Sequence, residues 1–237
     1  ARPKLNKPIL LAAWPGVGNV AMIVAQYLLT HLPFKDLGRI EASLFFDPIG
    51  VIVRGDIVEQ PQFPESRFYY WKNPDGEHDL ILFIGDDQPS TGSYEMANAV
   101  VELAEKFQAS RIITFAAALT RIHHTEPSRV WGVATSPALK RELARHQILR
   151  QGNLQIAGLN GLLLGVAKER AMPGICLLGE VPNYTTRIQN PMAALAIMQT
   201  LGNYLKIEVN LNELAEQALE ARERIKEVAA RAMEEYI

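Results

Sequence analysis

The sequence predicts an α/β fold with a largely parallel sheet covered on both faces. Three observations carry this expectation. Ile9–Trp14, Asp79–Ile84 and Arg111–Phe115 contain short, continuous apolar runs, the pattern of strands buried on both sides. Stretches of helical periodicity alternate with them, which is the order of a sheet wrapped by crossover helices. The first strand passes into the first helix through Pro15-Gly16-Val17-Gly18-Asn19, a glycine turn at the place where open α/β sheets receive ligands.

Composition sets the bounds. A chain of 237 residues with 48% hydrophobic and 21% charged residues is long enough to bury a sizeable core. The net charge of −2 argues against nucleic-acid or membrane-surface partners. The single cysteine, Cys176, lies in an apolar run and reads as a small buried hydrophobe. The basic start is followed by an apolar run that Pro15 and Gly16 cut short of a signal peptide, and no stretch reaches the ~18 apolar residues of a membrane span. A cytoplasmic protein is expected.

In chain order, Val20, Ile23, Val24, Tyr27 and Leu28 mark a helix that ends before Pro33. Arg39–Phe46 predicts a strand stopped by Asp47-Pro48. Gly50–Glu59 predicts a strand with a bulge or hairpin at Gly55-Asp56, and aromatic Arg67–Trp71 another strand. Gly85–Pro89 ends the strand from Asp79 and leads to a helix reaching about Gln108, with Met96, Val100, Leu103, Ala104 and Phe107 on one face. Ala116–Arg129 reads as a loop, Val130–Ala134 as a strand, Pro137–His146 as a short helix and Leu154–Ala157 as a further strand. Gly158-Leu159-Asn160-Gly161 is a second glycine turn before the helix Leu162–Arg170. The strand Ile175–Leu178, then Glu180, and the helix Pro191–Leu205 follow. Residues 1–207 make one α/β domain. Residues 208–237 add an amphipathic helix from Asn210 to Tyr236 that opens on an Asn210/Glu213 capping box.

The chemistry-bearing patterns are weak one by one. Gly16-x-Gly18-x-x-Ala21 fits a dinucleotide fingerprint, but no acid ends the second strand ~20 residues on. No Gly-Lys-Ser/Thr follows either, which excludes a Walker loop. Asp86 and Asp87 are neighbours on an extended chain and point to opposite sides, so they read as a solvated loop with a helix cap. His123 and His124 are adjacent, a spacing zinc sites rarely use, and read as loop histidines with local hydrogen bonds. No G-x-S-x-G or H-E-x-x-H occurs. No catalytic residue, cofactor or metal is expected. Gly16, Gly18, Asn19, Asp86, Gln88, Asn160 and Glu180 all follow strands and line one crevice if the strand order brings them together.

The order of these segments resembles the PAC2 family, the proteasome assembly chaperone 2 group. The resemblance rests on Pro15–Asn19, Gly85–Pro89, His124-Thr125-x-Pro127, Gly158–Gly165, Leu178-Gly179-Glu180-Val181-Pro182-x-Tyr184 and Ile207–Leu211. Val181 and Asn210 depart from it, where threonine and aspartate are common. The resemblance implies a phosphorylase-like three-layer αβα sandwich with a mixed, mostly parallel sheet, and a protein that self-associates. It also implies a non-enzymatic assembly chaperone or scaffold, with proteasome α subunits as partners where the host has them. Proteasome-binding tails end hydrophobic–Tyr–any residue. This chain ends Glu235-Tyr236-Ile237, so Tyr236 and Ile237 are tail candidates, with glutamate in the hydrophobic position. The alternative role of Tyr236 is packing on the helix stripe. The second functional expectation is a nucleoside- or phosphate-type ligand in the crevice, with Arg121 or Arg187 as its cation.

Overall fold

The computed structural model describes residues 2–148 and 153–234. The first apolar run forms β1 (Ile9–Ala13). Its side chains alternate, Ile9, Leu11 and Ala13 entering one core and Leu10 and Ala12 the other, as the period of a strand demands. The chain continues through α1 (Val20–His31), β2 (Lys35–Arg39), β3 (Val53–Arg54), β4 (Ile57–Val58), β5 (Ser66–Trp71) and β6 (Leu80–Gly85). Then come α2 (Ser93–Lys106), β7 (Arg111–Thr120), β8 (Val130–Ala134), α3 (Pro137–Arg145), α4 (Leu159–Glu169), β9 (Gly174–Pro182), α5 (Pro191–Leu205) and α6 (Asn212–Glu234).

Seven strands form one sheet in the order β2-β5-β6-β1-β7-β9-β8. The inner four, β6, β1, β7 and β9, are parallel. β2, β5 and β8 are added antiparallel at the two edges. Helices α1, α3 and α5 bury one face and α2 and α4 the other. The architecture is therefore a three-layer αβα sandwich with a mixed, mostly parallel sheet. No described helix is long and apolar enough to cross a membrane.

Three expectations change. The strand expected at Arg39–Phe46 is displaced to Lys35–Arg39, a polar segment held at the sheet edge by β5, with Asp36 paired to Arg67 at 3.1 Å. Ala42–Leu44 instead makes one tight helical turn that drops Phe45 and Phe46 onto the core. Gly50–Glu59 takes the hairpin option expected at Gly55-Asp56, β3 with β4, detached from the main sheet. β7 runs on to Thr120 through the segment read as loop, because Ala116–Thr120 pairs with Leu178–Pro182 of a longer β9. Glu180 thus lies inside a strand and not after one. No strand forms at 154–157; those residues line a cavity.

The last helix lies along its own domain. Leu214, Ala218, Ala221 and Ile225 are buried, with Ala218 and Ile225 clustered on Met192 and Leu195 of α5. Its start is fixed by the Asn210 side chain, which accepts from the Asn212 N–H at 2.9 Å, while the Tyr27 hydroxyl donates to the Asn210 carbonyl at 2.7 Å. Glu213 does not close the expected capping box; its carboxylate lies 3.3 Å from His31 Nε2.

Candidate functional site

The carboxyl ends of β1 and β7 part to form a cavity of about 390 Å³, lined by Gly16 and Val17, by Ala116–Leu119 of β7, by residues 154–158 and by Gln88 and Asn160. This is the crevice at which an α/β sheet of this kind accepts ligands. Of the expected site residues, Gly16, Gln88 and Asn160 meet there.

Asn160, in the first turn of α4, is buried and engaged at both ends of its amide. Its Oδ1 accepts from the Trp14 N–H and its Nδ2 donates to the Trp14 carbonyl, both at 3.0 Å. One side chain therefore satisfies both backbone groups of the residue that follows β1, deep in the core, where an unpaired amide is costly. Gln88 performs a related task from the loop after β6. Its Nε2 donates to the Pro15 carbonyl at 2.6 Å and its Oε1 accepts from the Leu159 N–H at 2.9 Å, capping the amino end of α4. Gly158 precedes that helix with φ of +72°, and a Cβ there would lie 2.5 Å from Gln88 Oε1.

The opening turn is also bound internally. Gly18 has φ of +62°, and a Cβ would meet the Asn190 side chain at 3.1 Å. The Asn190 N–H donates to the Gly18 carbonyl at 2.8 Å while its Oδ1 accepts from Ala193 at the start of α5. Asn19 is left-handed and half-buried. Asp86 and Asp87 are exposed; Asp86 accepts from the Glu65 N–H and Asp87 from the Gln88 N–H. Neither caps α2, which starts at Gly92 with no side-chain cap.

Glu180 lies further along the sheet. Its side chain is wholly buried, and Arg129 reaches in from solvent with a two-pronged contact, Nε to Oε2 at 2.8 Å and Nη2 to Oε1 at 2.9 Å. Burial pushes the carboxyl up, but the Arg129 guanidinium and backbone N–H outweigh it and hold it below the usual carboxylate range. No local spacing marks Arg129 as its partner, because the two align only once β9 extends past Glu180 to pair with the strand that follows Arg129.

His124 is buried with Nδ1 3.0 Å from the Tyr184 hydroxyl, and the Tyr184 hydroxyl also accepts from its N–H at 2.9 Å. His123 sits 2.7 Å from Thr125 Oγ1. The His123 bond is the local kind expected of a loop histidine, whereas His124 is held by a residue 60 positions away in sequence. Burial pushes the Cys176 thiol up to about 12. Among the described residues no three His, Cys, Asp or Glu side chains converge as a metal site would require. Tyr236 and Ile237 lie outside the described residues.

The fold and this self-satisfied crevice define an αβα scaffold in which the groups at the strand ends hold helices in place. The chain belongs to the PAC2 family, whose model matches residues 10–229. It is similar to the crystal structure of Pyrococcus furiosus PbaB, an archaeal proteasome activator, at 29% identity and TM-score 0.81, covering 97% of this chain and 96% of that one. It is also similar to Pyrococcus furiosus PbaA, an archaeal homolog of proteasome-assembly chaperone, at 25% identity and TM-score 0.75 over 99% and 92% of the two chains. An uncharacterised protein of Methanocaldococcus jannaschii is 29% identical over 218 residues, 90% of this chain and 80% of that one.

Proposed function

We propose that this chain is a non-enzymatic assembly factor for proteasome subunits that works in the cytoplasm as a homo-oligomer. The observation that carries the reading is the state of the crevice. Asn160 and Gln88, polar side chains that line it, are each engaged by backbone groups within the fold, and Glu180, further along the sheet, is held in an ion pair with Arg129. A scaffold needs such rigidity, whereas a catalyst needs groups aimed at a substrate. The whole-length likeness to PbaB and PbaA, named as a proteasome activator and as a homolog of proteasome-assembly chaperone, supports the choice of partner. The test is affinity capture of the tagged chain from its own host. Recovery of 20S α subunits is expected; repeated capture without any proteasome subunit refutes the partner.

A small ligand in the crevice is the second reading, favoured by the cavity of about 390 Å³ beside the backbone of Gly16 and Val17. In it Gly16, Gly18, Asn19, Asp86, Gln88, Asn160 and Glu180 form or border the ligand site. A thermal-shift panel of nucleosides, nucleotides and phosphate tests it, and a flat response removes it.

A further inference from the structure

The polar side chains of the crevice are engaged, but one stretch of its backbone is not. β9 follows β7 in register from Ile112 to Thr120, whereas β1 stops at the Ala12–Thr114 pair and turns away. In a strand, the N–H and C=O of one residue point to one edge and those of the next residue to the other. The Ile112 N–H donates to the Pro173 carbonyl at 2.8 Å, and the Thr120 carbonyl accepts from the Asn183 N–H at 3.0 Å, so the even-numbered residues of β7 face β9. The odd-numbered ones face the side that β1 has left. Ala117 and Leu119 line the cavity and turn their N–H and C=O groups toward it, with no hydrogen-bond partner for these groups among the described residues.

The β1 side of the same gap is filled. The Asn160 amide stands where a strand backbone would, bonded to both peptide groups of Trp14. The β7 side has no such filler. Opposite it run residues 154–157, which form no strand and make no backbone bond to β7 among the described residues. Ile156 instead packs with Ala118, Leu164 and Leu178. Leu119 is half exposed, so the free edge is open to solvent at its far end.

Charge narrows the ligand. No residue lining the cavity is ionisable, and neither Arg121 nor Arg187 belongs to its wall. A phosphate or carboxylate carried in would lose water and gain no counter-charge. The wall is built of small and aliphatic side chains, Ala116–Ala118, Leu154 and Ile156 among them, around a volume of about 390 Å³. The edge itself calls for donors and acceptors that repeat every second residue, roughly 6.6 Å apart, which is the spacing of another main chain. A compact molecule with one polar group would satisfy a single member of that array. Phe115 to Leu119 spans roughly 13 Å, the length of about four extended residues.

We infer that the crevice is a strand-addition site, and that its ligand is an uncharged, extended peptide segment with small apolar side chains, laid along Ala117 and Leu119. The inference rests on the small-ligand reading of the crevice and names the class of ligand.

Amide NMR of the full chain tests it, with N-acetylated, C-amidated pentapeptides of Ala, Val and Thr as probes. The controls are the same peptides with a central Asp or Lys, and the same peptides methylated on every backbone nitrogen. In the free chain the Ala117 and Leu119 amides are expected to exchange on the order of tenfold faster than those of Ala118 and Thr120, which face β9. The neutral peptides should shift and protect the Ala117 and Leu119 amides. The charged ones should bind on the order of tenfold more weakly, and the methylated ones not at all. Leu119→Pro removes a crevice-facing N–H that β9 does not use, and should abolish peptide binding with unchanged circular dichroism. If that variant fails to fold, the methylated peptides decide. Protected Ala117 and Leu119 amides in the free chain show that the protein covers its own edge, and overturn the inference. Binding that survives methylation assigns the cavity to apolar contact alone and also overturns it. Nucleotide- or phosphate-induced shifts at Gly16 and Val17, with no response to neutral peptides, overturn the peptide and leave the small-ligand reading standing. No response to any of these probes removes both.

Discussion

Asn160 holds Trp14 by both of its backbone groups, at 3.0 Å each, across 146 residues of sequence. The pair fastens the start of α4 to the end of β1, and so fixes one wall of the crevice to its floor. Replacing Asn160 with alanine leaves a buried N–H and a buried carbonyl unpaired, each costing roughly 1–3 kcal/mol. Asn160→Ala is therefore expected to lose about 3 kcal/mol in urea titration, and Asn160→Asp to lose at least as much at neutral pH, since the buried carboxylate still accepts from the Trp14 N–H but sets its second, charged oxygen against the Trp14 carbonyl.

Gly158 and Gln88 form the second fastening. Gly158→Ala places a methyl group against the Gln88 amide in a left-handed backbone, and a loss of roughly 1–3 kcal/mol is expected. Gln88→Ala in the same background removes the obstructing amide but not the backbone strain. The double variant should then cost less than the sum of the two single changes, a coupling that a double-mutant cycle measures directly.

The Glu180–Arg129 pair gives the fold an acid-sensitive component. The folded-state pKa of Glu180 is depressed, so its contribution is fully present above the unfolded carboxyl value of about 4.3 and is lost as pH falls through the folded value. Denaturant midpoints of wild type and Glu180→Gln should differ most at pH 5–7, the wild type being more stable, and converge below about pH 4. A constant gap across that range would show that the pair contributes nothing by its charge.

His124 adds a second component that is lost on the acid side. Burial, then the neighbouring His123 and the Arg222 and Lys226 cations of α6, lower its pKa. The stabilising neutral state is present above the unfolded value of about 6.5 and is lost as pH falls through the lowered folded one. NMR titration should find the His124 ring titrating below an ordinary imidazole. Tyr184→Phe, which removes the hydroxyl that contacts the ring and accepts from the His124 N–H, should lower stability at neutral pH by about 1 kcal/mol.

The architecture was legible wherever a segment's own pattern matched its burial. β1 and β6 are continuous apolar runs that both helical layers cover, and α5 announces itself with Pro191 in its first turn. β2 was not legible, because Lys35–Arg39 is polar and becomes a strand only through the backbone of β5, while the apolar Ala42–Phe46 is needed as a turn and a plug. The extra length of β7 and β9 is likewise set by their mutual pairing and by neither sequence alone. Gln88 and Asn160 could be placed at the crevice from the strands they follow, but their roles depend on Pro15, Leu159 and Trp14, which local periodicity does not connect to them. The hairpin did leave a signal: Val51-Ile52-Val53 and Ile57-Val58 have apolar residues on both faces of a strand, a pattern that calls for cover on both sides.

The partner proposed for this scaffold is the proteasome α subunit. Native mass spectrometry of the full chain mixed with the 20S α and β subunits of its own host tests it most directly. The expected spectrum contains complexes of the chain with α subunits, together with faster appearance of complete 20S particles than without it. A folded chain that forms no complex with either subunit and leaves the assembly rate unchanged would contradict the claim.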